Sequence, residues 1–155
     1  MISNYVKQIR EKIGHMPMFV PSACLIIYKD NKVLLQKRAD DKKWDMHGGF
    51  MEPEETIIET LNREIKEELN IKPINPELMG IYTGYNKYPN EDEVYMCRNC
   101  FICSEYDGEI SFNDNEVLEI KWFHIDDLPS DMHECDREVL EDIKEYINTK
   151  KPIIK

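Results

Sequence analysis

The chain has 155 residues, of which 41% are hydrophobic and 33% are charged, and its formal net charge is −11. This length and composition indicate one soluble globular domain and exclude a disordered chain. The acidic excess argues against DNA or RNA bound through a broad basic surface and against an anionic membrane surface, but it allows a small anionic substrate that arrives with a metal cation.

The beginning of the chain, MISNYVKQIREKIG, predicts a short amphipathic helix over residues 3–14 rather than the apolar core of a secretion signal. No run approaches the ~18 apolar residues that a membrane span needs. The five cysteines, an odd number, favour reduced thiols over a disulfide framework. The expected location is therefore cytoplasmic.

Two strands are predicted in the segment SACLIIYKDNKVLLQKR, residues 22–38, with a turn at 29–32. The next segment, DDKKWDMHGG at 40–49, is predicted to be a connecting loop in which Trp44 covers an apolar edge. Further strands are expected at residues 79–85, 93–106 and 117–125, with a turn at Asp107-Gly108.

A helix is predicted between the two groups of strands, from about Thr56 to Leu69. Thr56 and Glu59 fit a capping box, Asn70 suits the left-handed position after the helix, and Pro73 prevents its continuation. Its apolar face is predicted to contain Ile57, Ile58, Leu61, Ile65 and Leu69.

A second amphipathic helix is expected over residues 130–150 at the end of the chain. Its predicted inner side chains are Val139, Leu140, Ile143 and Ile147. Mixed strands with one central and one terminal helix predict an α/β or α+β sandwich, and residues 1–155 are assigned to a single domain with its core at about 18–148.

The central helix carries three acidic residues close together, Glu64, Glu67 and Glu68. Like charges three or four residues apart repel by roughly 0.2–0.5 kcal/mol per pair. A solvated face with a Glu59–Arg63–Glu67 ladder is one interpretation, but the ladder does nothing for the Glu64/Glu68 pair. A divalent cation would remove that repulsion, and Mg²⁺ prefers carboxylate and phosphate oxygens.

The stretch GGFMEPEETIIETLNREIKEELNI, residues 48–71, resembles the signature of the Nudix hydrolase family. The family pattern is Gly, five residues, Glu, seven residues, then Arg-Glu-apolar-any-Glu-Glu-any-Gly-apolar. The positions that match are Gly49, Glu55, Arg63, Glu64, Ile65, Glu67, Glu68 and Ile71. Asn70 replaces the usual Gly, and His47 stands where many members have Pro.

The resemblance implies a Nudix-like α/β/α sandwich with a mixed sheet, and an enzyme that hydrolyses a nucleoside diphosphate linked to another group. That group is a sugar, as in nucleotide sugars, or the remainder of ADP-ribose, a dinucleoside polyphosphate or a nucleoside triphosphate. The resemblance further implies that Mg²⁺ or Mn²⁺ binds the three helix glutamates with the Gly49 carbonyl, that Arg63 orients these glutamates, and that Gly48 and Glu55 shape the loop.

The general base is open between a helix glutamate and a later acid. Glu116, in FNDNEVLEIKWF, is the first loop candidate, for a base or a further metal ligand, and Glu119 is its rival. The alternative for both is an ordinary exposed acid. The candidates for substrate binding are Arg38, Trp44 and Tyr88, although the two aromatic residues equally suit simple packing.

Other features carry less information. Strand alternation places Cys97 and Cys103 on one side and Cys100 on the other, which disfavours a zinc site. Tyr85, Tyr88 and Pro89 lie where family subclasses carry residues linked to substrate preference, but a simple Tyr/Pro-rich loop is an equal alternative.

Two alternative functions are an RNA 5′-end pyrophosphohydrolase and a non-catalytic nucleotide-sensing module. The acidic balance disfavours the first, and the retained glutamates disfavour the second. A homodimer is left open.

Overall fold

The computed structural model describes residues 4–88, 90–113 and 115–155, except for the side chain of Asn4, so Pro89 and Asp114 lie outside the described residues. The helices are Asn4–Ile13 (α1), Ile57–Leu69 (α2), Glu134–Glu141 (α3) and Ile143–Thr149 (α4). The strands are Met18–Lys29 (β1), Lys32–Arg38 (β2), Trp44–Asp45 (β3), His47–Phe50 (β4), Lys72–Ile74 (β5), Glu77–Lys87 (β6), Glu93–Cys103 (β7), Glu105–Asp107 (β8), Val117–His124 (β9) and Ile153–Ile154 (β10). None of these helices is long and apolar enough to cross a membrane.

The main sheet is mixed. Its strand order is β10-β6-β7-β1-β2-β3, with β4 paired to β1 and β9 paired to β2, while β5 and β8 form a separate small sheet. The long strand β1 runs parallel to β7 and antiparallel to β4. Because β1 belongs to both pairings, it places β4 and the loop that follows it against the middle of the sheet.

Helices cover both faces of this sheet. On one face, Leu61, Ile65 and Leu69 of α2 pack against Ala23 and Leu25. On the other face, α3 and α4 pack against the larger core cluster, and α1 covers the start of β1 and β7. Successive side chains of β1 therefore alternate between the two cores. The predicted α/β/α sandwich with a mixed sheet is confirmed.

Several predicted elements are confirmed. The first helix spans Asn4–Ile13, and the hairpin turns at Asp30 and Asn31, which both have positive φ. The cysteine alternation also holds, because Cys100 and Cys103 are buried in opposite cores and Cys97 is exposed.

The predicted loop at 40–49 is wrong in its second half, which forms β3 and β4. Trp44 pairs with Lys37, and Gly49 pairs with Ala23. The pairing of Gly49 with Ala23 joins segments 26 residues apart, so local composition does not reveal it, and β3 is only two residues long, too short to leave an alternating pattern. Sequence inspection also missed the short strands β5 and β10.

The predicted terminal helix is in fact two helices that meet at Asp142. The carboxylate of Asp142 accepts hydrogen bonds from the hydroxyl of Tyr82 and the amine of Lys155. After the break, the inner face of α4 is formed by Ile143 and Tyr146, and Ile147 is exposed, contrary to the prediction. On α2, Ile58 is likewise exposed rather than buried.

Candidate active site

Helix α2 begins and ends where local sequence predicts. The Thr56 hydroxyl accepts a hydrogen bond from the Glu59 amide, and the Glu59 carboxylate accepts one from the Thr56 amide at 2.8 Å. At the other end, Asn70 is left-handed with φ 58°, and its amide donates to the Lys66 carbonyl. Both ends of the helix that carries the acidic residues are therefore fixed by short-range hydrogen bonds.

Arg63 ties the helix to the loop that precedes it. Its guanidinium donates to both carboxylate oxygens of Glu55, at 2.6 and 3.0 Å, and to the Phe50 carbonyl at 3.0 Å. The Arg63 guanidinium holds the pKa of Glu55 down to about 2. Glu55 also accepts from the Thr60 hydroxyl, so the loop is anchored through one ionised carboxylate. The predicted ladder from Glu59 to Arg63 does not form.

The Glu64 carboxylate lies directly against Gly49. A Cβ atom placed on Gly49 would be 2.4 Å from the Glu64 carboxyl carbon, so only glycine fits at this position without displacing the acid. Glu64 is buried, and it accepts a hydrogen bond from Arg63 at 2.7 Å. Burial nevertheless raises the pKa of Glu64.

Glu68 is positioned by the backbone of β4 and by a side chain of β2. Its carboxylate accepts from the Gly48 amide at 2.9 Å and from the Gln36 amide nitrogen at 3.2 Å. Burial raises the pKa of Glu68 to about 7, against the lowering effect of these two donors. The buried Glu64 and the half-buried Glu68 therefore stand one turn apart on α2, beside consecutive glycines.

Glu67 differs from these two acids. Its side chain is 54% exposed, and its nearest charged partner is Arg63 at 3.5 Å. In the described part of the chain, no group of three or more His, Cys, Asp or Glu side chains is placed so that it could already hold a metal ion. Glu64, Glu67 and Glu68 lie on one end of the helix surface, but they do not converge on a single point.

His47, the first residue of β4, has a fully buried side chain. Burial lowers the pKa of His47 to about 4, so the imidazole is neutral at pH 7. Neither ring nitrogen makes a hydrogen bond of normal geometry to a described residue, and Nδ1 is 3.8 Å from the Glu68 carboxylate. His47 therefore packs against Glu68, at the position where many members of the family have Pro.

The three substrate-binding candidates are placed differently. Arg38 donates to the carboxylates of Asp40 and Asp45. Trp44 is buried in the core, edge-on to Phe123 with ring centroids 4.6 Å apart. Tyr88 is half-buried against the cluster beneath α1. Packing accounts for the position of Trp44, and substrate contact by any of the three stays a prediction.

The two later acids lie on either side of the first residue of β9. Glu116 is in the turn before the strand, where its carbonyl accepts from the Ala39 amide at 2.9 Å. Glu119 is within the strand and pairs with Lys37, one position from the pair of Gln36 with Ile120. Paired residues share a face and neighbours alternate, so Glu119 points to the face opposite the one on which Gln36 meets Glu68.

Sequence inspection missed a buried ionic cluster behind β3 and β4. Asp136 of α3 accepts from the Arg98 guanidinium at 2.5 Å and from the Met46 amide at 3.1 Å. Burial is the main cause that raises the pKa of Asp45, and the nearby charge of Asp136 raises it further. Burial also acts to raise the pKa of Asp136, but the hydrogen bond from Asp45 and the charge of Arg98 outweigh it, so the pKa of Asp136 is lowered. No local motif marks these residues, because they come from three distant segments.

Comparison with known proteins shows which proteins this chain is similar to. A family profile of the NUDIX domain matches residues 18–143. The ADP-ribose pyrophosphatase of Methanocaldococcus jannaschii is 35% identical over 107 residues, which are 67% of this chain and 61% of the relative, so less than two thirds of that protein is spanned. The nucleoside triphosphatase NudI of Escherichia coli is 33% identical over 116 residues, which are 68% of this chain and 82% of the relative.

Solved structures share the fold. The MutT protein of Bacillus halodurans superimposes with a TM-score of 0.63 at 28% identity, over 79% of this chain and 80% of that one. A MutT NUDIX hydrolase of Burkholderia pseudomallei gives a TM-score of 0.72 at 23% identity, over 81% of this chain and 98% of that one. At this lower identity the second likeness concerns the fold alone.

Proposed function

Since this chain belongs to the Nudix hydrolase family, we propose that it hydrolyses the phosphoric anhydride bond of a nucleoside diphosphate linked to another group, with Mg²⁺ or Mn²⁺ as its metal ion. The observation that carries the proposal is the pair of carboxylates, the buried Glu64 and the half-buried Glu68, beside Gly49 and Gly48. Burial raises the pKa of both acids. Glu64 shares the Arg63 guanidinium with Glu55, and Glu68 is paired with no Lys or Arg among the described residues, so a divalent cation would supply the missing positive charge.

The donor set fits such an ion. Glu64, Glu67 and Glu68 with the Gly49 carbonyl provide only oxygen ligands, which Mg²⁺ and Mn²⁺ prefer. Glu67 is exposed and weakly paired, so its side chain can change rotamer at little cost. A bound divalent ion would neutralise the diphosphate and lower the pKa of a bound water.

The protein's own contribution is positioning. Arg63 fixes Glu64 from one side and the loop from the other through Glu55. Gly48 and Gln36 fix the Glu68 carboxylate from the opposite side. Phosphoryl transfer depends mainly on such placement and on charge stabilisation, so these hydrogen bonds should matter more for turnover than for folding.

Glu116 is our candidate for the general base or a further metal ligand. Glu116 lies in the turn before β9, so the alternation of side chains along the strand does not fix its direction. The strand register, in contrast, directs Glu119 to the sheet face opposite the one that holds Gln36 and Glu68. Glu64 and Glu67 are the alternatives on the helix.

The substrate class is proposed from the relatives, whose names refer to ADP-ribose and to nucleoside triphosphates. The test is a panel of ADP-ribose, nucleotide sugars, dinucleoside polyphosphates, nucleoside triphosphates and 5′-triphosphorylated RNA, incubated with Mg²⁺ or Mn²⁺. Products are separated by chromatography, so that the cleaved bond is identified. Turnover of one of the small nucleotides supports the proposal, and turnover of RNA alone contradicts it.

Two variants complete this test. Glu64→Gln should abolish turnover. Glu59→Gln is the control on the same helix, and it should retain turnover because glutamine also completes a capping box. Mg²⁺ should raise the melting temperature of the wild type by binding only the folded state, and should raise that of Glu64→Gln much less. Equal metal-induced shifts in the two proteins would contradict the proposed ligand set.

A further inference from the structure

Part of one sheet face is left uncovered by the helices. Helix α2 covers the end of β1 that holds Ala23 and Leu25, but beyond it Phe19 is 84% exposed. Phe19 is in register with Tyr95 of β7, and Tyr95 with Tyr85 of β6, so the three rings form a row across three strands. Their centroids are 5.2 and 5.1 Å apart. We call this row the aromatic patch.

The aromatic patch borders a shallow groove of about 450 Å³. All the residues that line the groove are uncharged: Phe19, Val20, Pro21, Thr83, Gly84, Tyr85, Tyr95, Met96 and Cys97. In a chain with 51 charged residues of 155 and a net charge of −11, such a surface stands out. The residues that line the groove offer no cation to an anionic diphosphate, and Lys87 at its rim is already paired with Glu91 at 2.6 Å, so the groove does not suit the proposed substrate.

The exposed area suits a protein partner. With about 200 Å² for a fully exposed aromatic side chain, the three rings expose roughly 350 Å². Ile154 of β10 is 77% exposed and pairs with Ile81 on the same face, which brings the apolar area to roughly 500 Å². A stable interface buries about 800 Å² per partner, of which about 65% is apolar in homodimers. The largest apolar patch of a typical monomer is about 300–600 Å² and is often functional.

We propose that this face is the interface of a homodimer, formed by two copies of the chain around a twofold axis. The protruding ring of Phe19 lies at the edge of the groove, so a twofold axis placed through the aromatic patch would bring each Phe19 to the groove of the other copy. At the rim, Lys87 is paired with Glu91 at 2.6 Å within one copy and faces Glu93 in the strand register, and two copies can exchange such ion pairs across the axis. The uncharged centre avoids the repulsion that two acidic chains would otherwise meet.

Sedimentation equilibrium of the full chain tests this interface. The wild type should be a reversible dimer with a dissociation constant in the micromolar range. Phe19→Glu and Tyr95→Glu should each raise that constant at least about tenfold, since both bury a charge at the centre of the patch. Leu118→Glu is the matched control, because Leu118 is 50% exposed on β9, outside the patch, and should leave the dimer unchanged.

Cross-linking gives a second readout that does not depend on activity. Cys97 lines the groove and is the exposed thiol among the five free cysteines, so a bismaleimide should trap a covalent dimer of the wild type but not of Cys97→Ser. A wild type that stays monomeric at about 100 μM, or a dimer that survives Phe19→Glu and Tyr95→Glu, would overturn the proposal. A monomeric wild type whose KM rises in Phe19→Glu would also overturn it and would make the patch a substrate contact.

Discussion

The two adjacent glycines of β4 should respond very differently to the same substitution. Gly49→Ala places a methyl group 2.4 Å from the carboxyl carbon of Glu64, the far end of a side chain. Gly48→Ala places it 2.2 Å from the backbone oxygen of Ala23, at a residue with φ 140°. We therefore expect the first variant to damage the site and the second to damage the fold.

The magnitudes follow from these distances. Non-bonded carbons approach to about 3.5 Å, so the Glu64 carboxylate must move by about 1 Å in Gly49→Ala. A displacement of that size costs about 10²-fold in rate, and loss of the bond to Arg63 about 1–3 kcal/mol of stability. In Gly48→Ala, strain and overpacking together cost about 2–6 kcal/mol, a large part of the 5–15 kcal/mol that stabilises a typical domain.

The assay combines urea unfolding with steady-state kinetics on the substrate found in the panel. Gly49→Ala should unfold cooperatively, slightly below the wild type, with kcat reduced about 10²-fold. Gly48→Ala should lose most of its stability. A Gly49→Ala enzyme with kcat within threefold of the wild type would refute the placement of Glu64 against the reacting group.

Three other predictions follow from the same structure. Glu67→Gln should abolish turnover without lowering the melting temperature, because Glu67 is exposed; near-normal kcat at saturating Mg²⁺ would contradict its role. Glu116→Gln should reduce kcat by 10²–10⁴-fold, and Glu119→Gln should reduce it much less. The reverse order would assign the role to Glu119 instead. If neither variant loses tenfold in kcat, the general base is a glutamate of α2. Burial raises the pKa of Asp45, so the folded chain retains a proton that the unfolded chain releases near pH 4 and stability falls as pH rises above that value. The melting temperature of Asp45→Asn should therefore rise relative to that of the wild type as the pH is raised above about 4. A difference in melting temperature that does not change with pH would argue against a proton shared with Asp136.

What the sequence predicts best is determined locally. The limits of α2 follow from Thr56, Glu59 and Asn70, which act within one turn of each helix end. The position of the acidic residues follows from their spacing on that helix. The same holds for the turn at Asp30 and Asn31, since neighbours alone determine it.

Long-range pairing accounts for what the sequence did not predict. Gln36 contacts Glu68 only because β2 and β4 both lie beneath α2, and nothing around Gln36 marks it as a site residue. Arg63 takes Glu55 as its partner rather than Glu59, because Glu59 is already used in the capping box. The break at Asp142 likewise depends on Tyr82, sixty residues away in sequence.

Asp136 connects three layers of the molecule, and this affects how the structure opens. Its carboxylate joins α3 to Arg98 in the sheet and to the amide of Met46, just before the glycines of β4. Local opening of α3 would leave the buried guanidinium of Arg98 without its anion, which is costly. Hydrogen exchange at the Met46 amide should therefore require global unfolding, so that α3, β7 and the strand behind the candidate site behave as one cooperative unit.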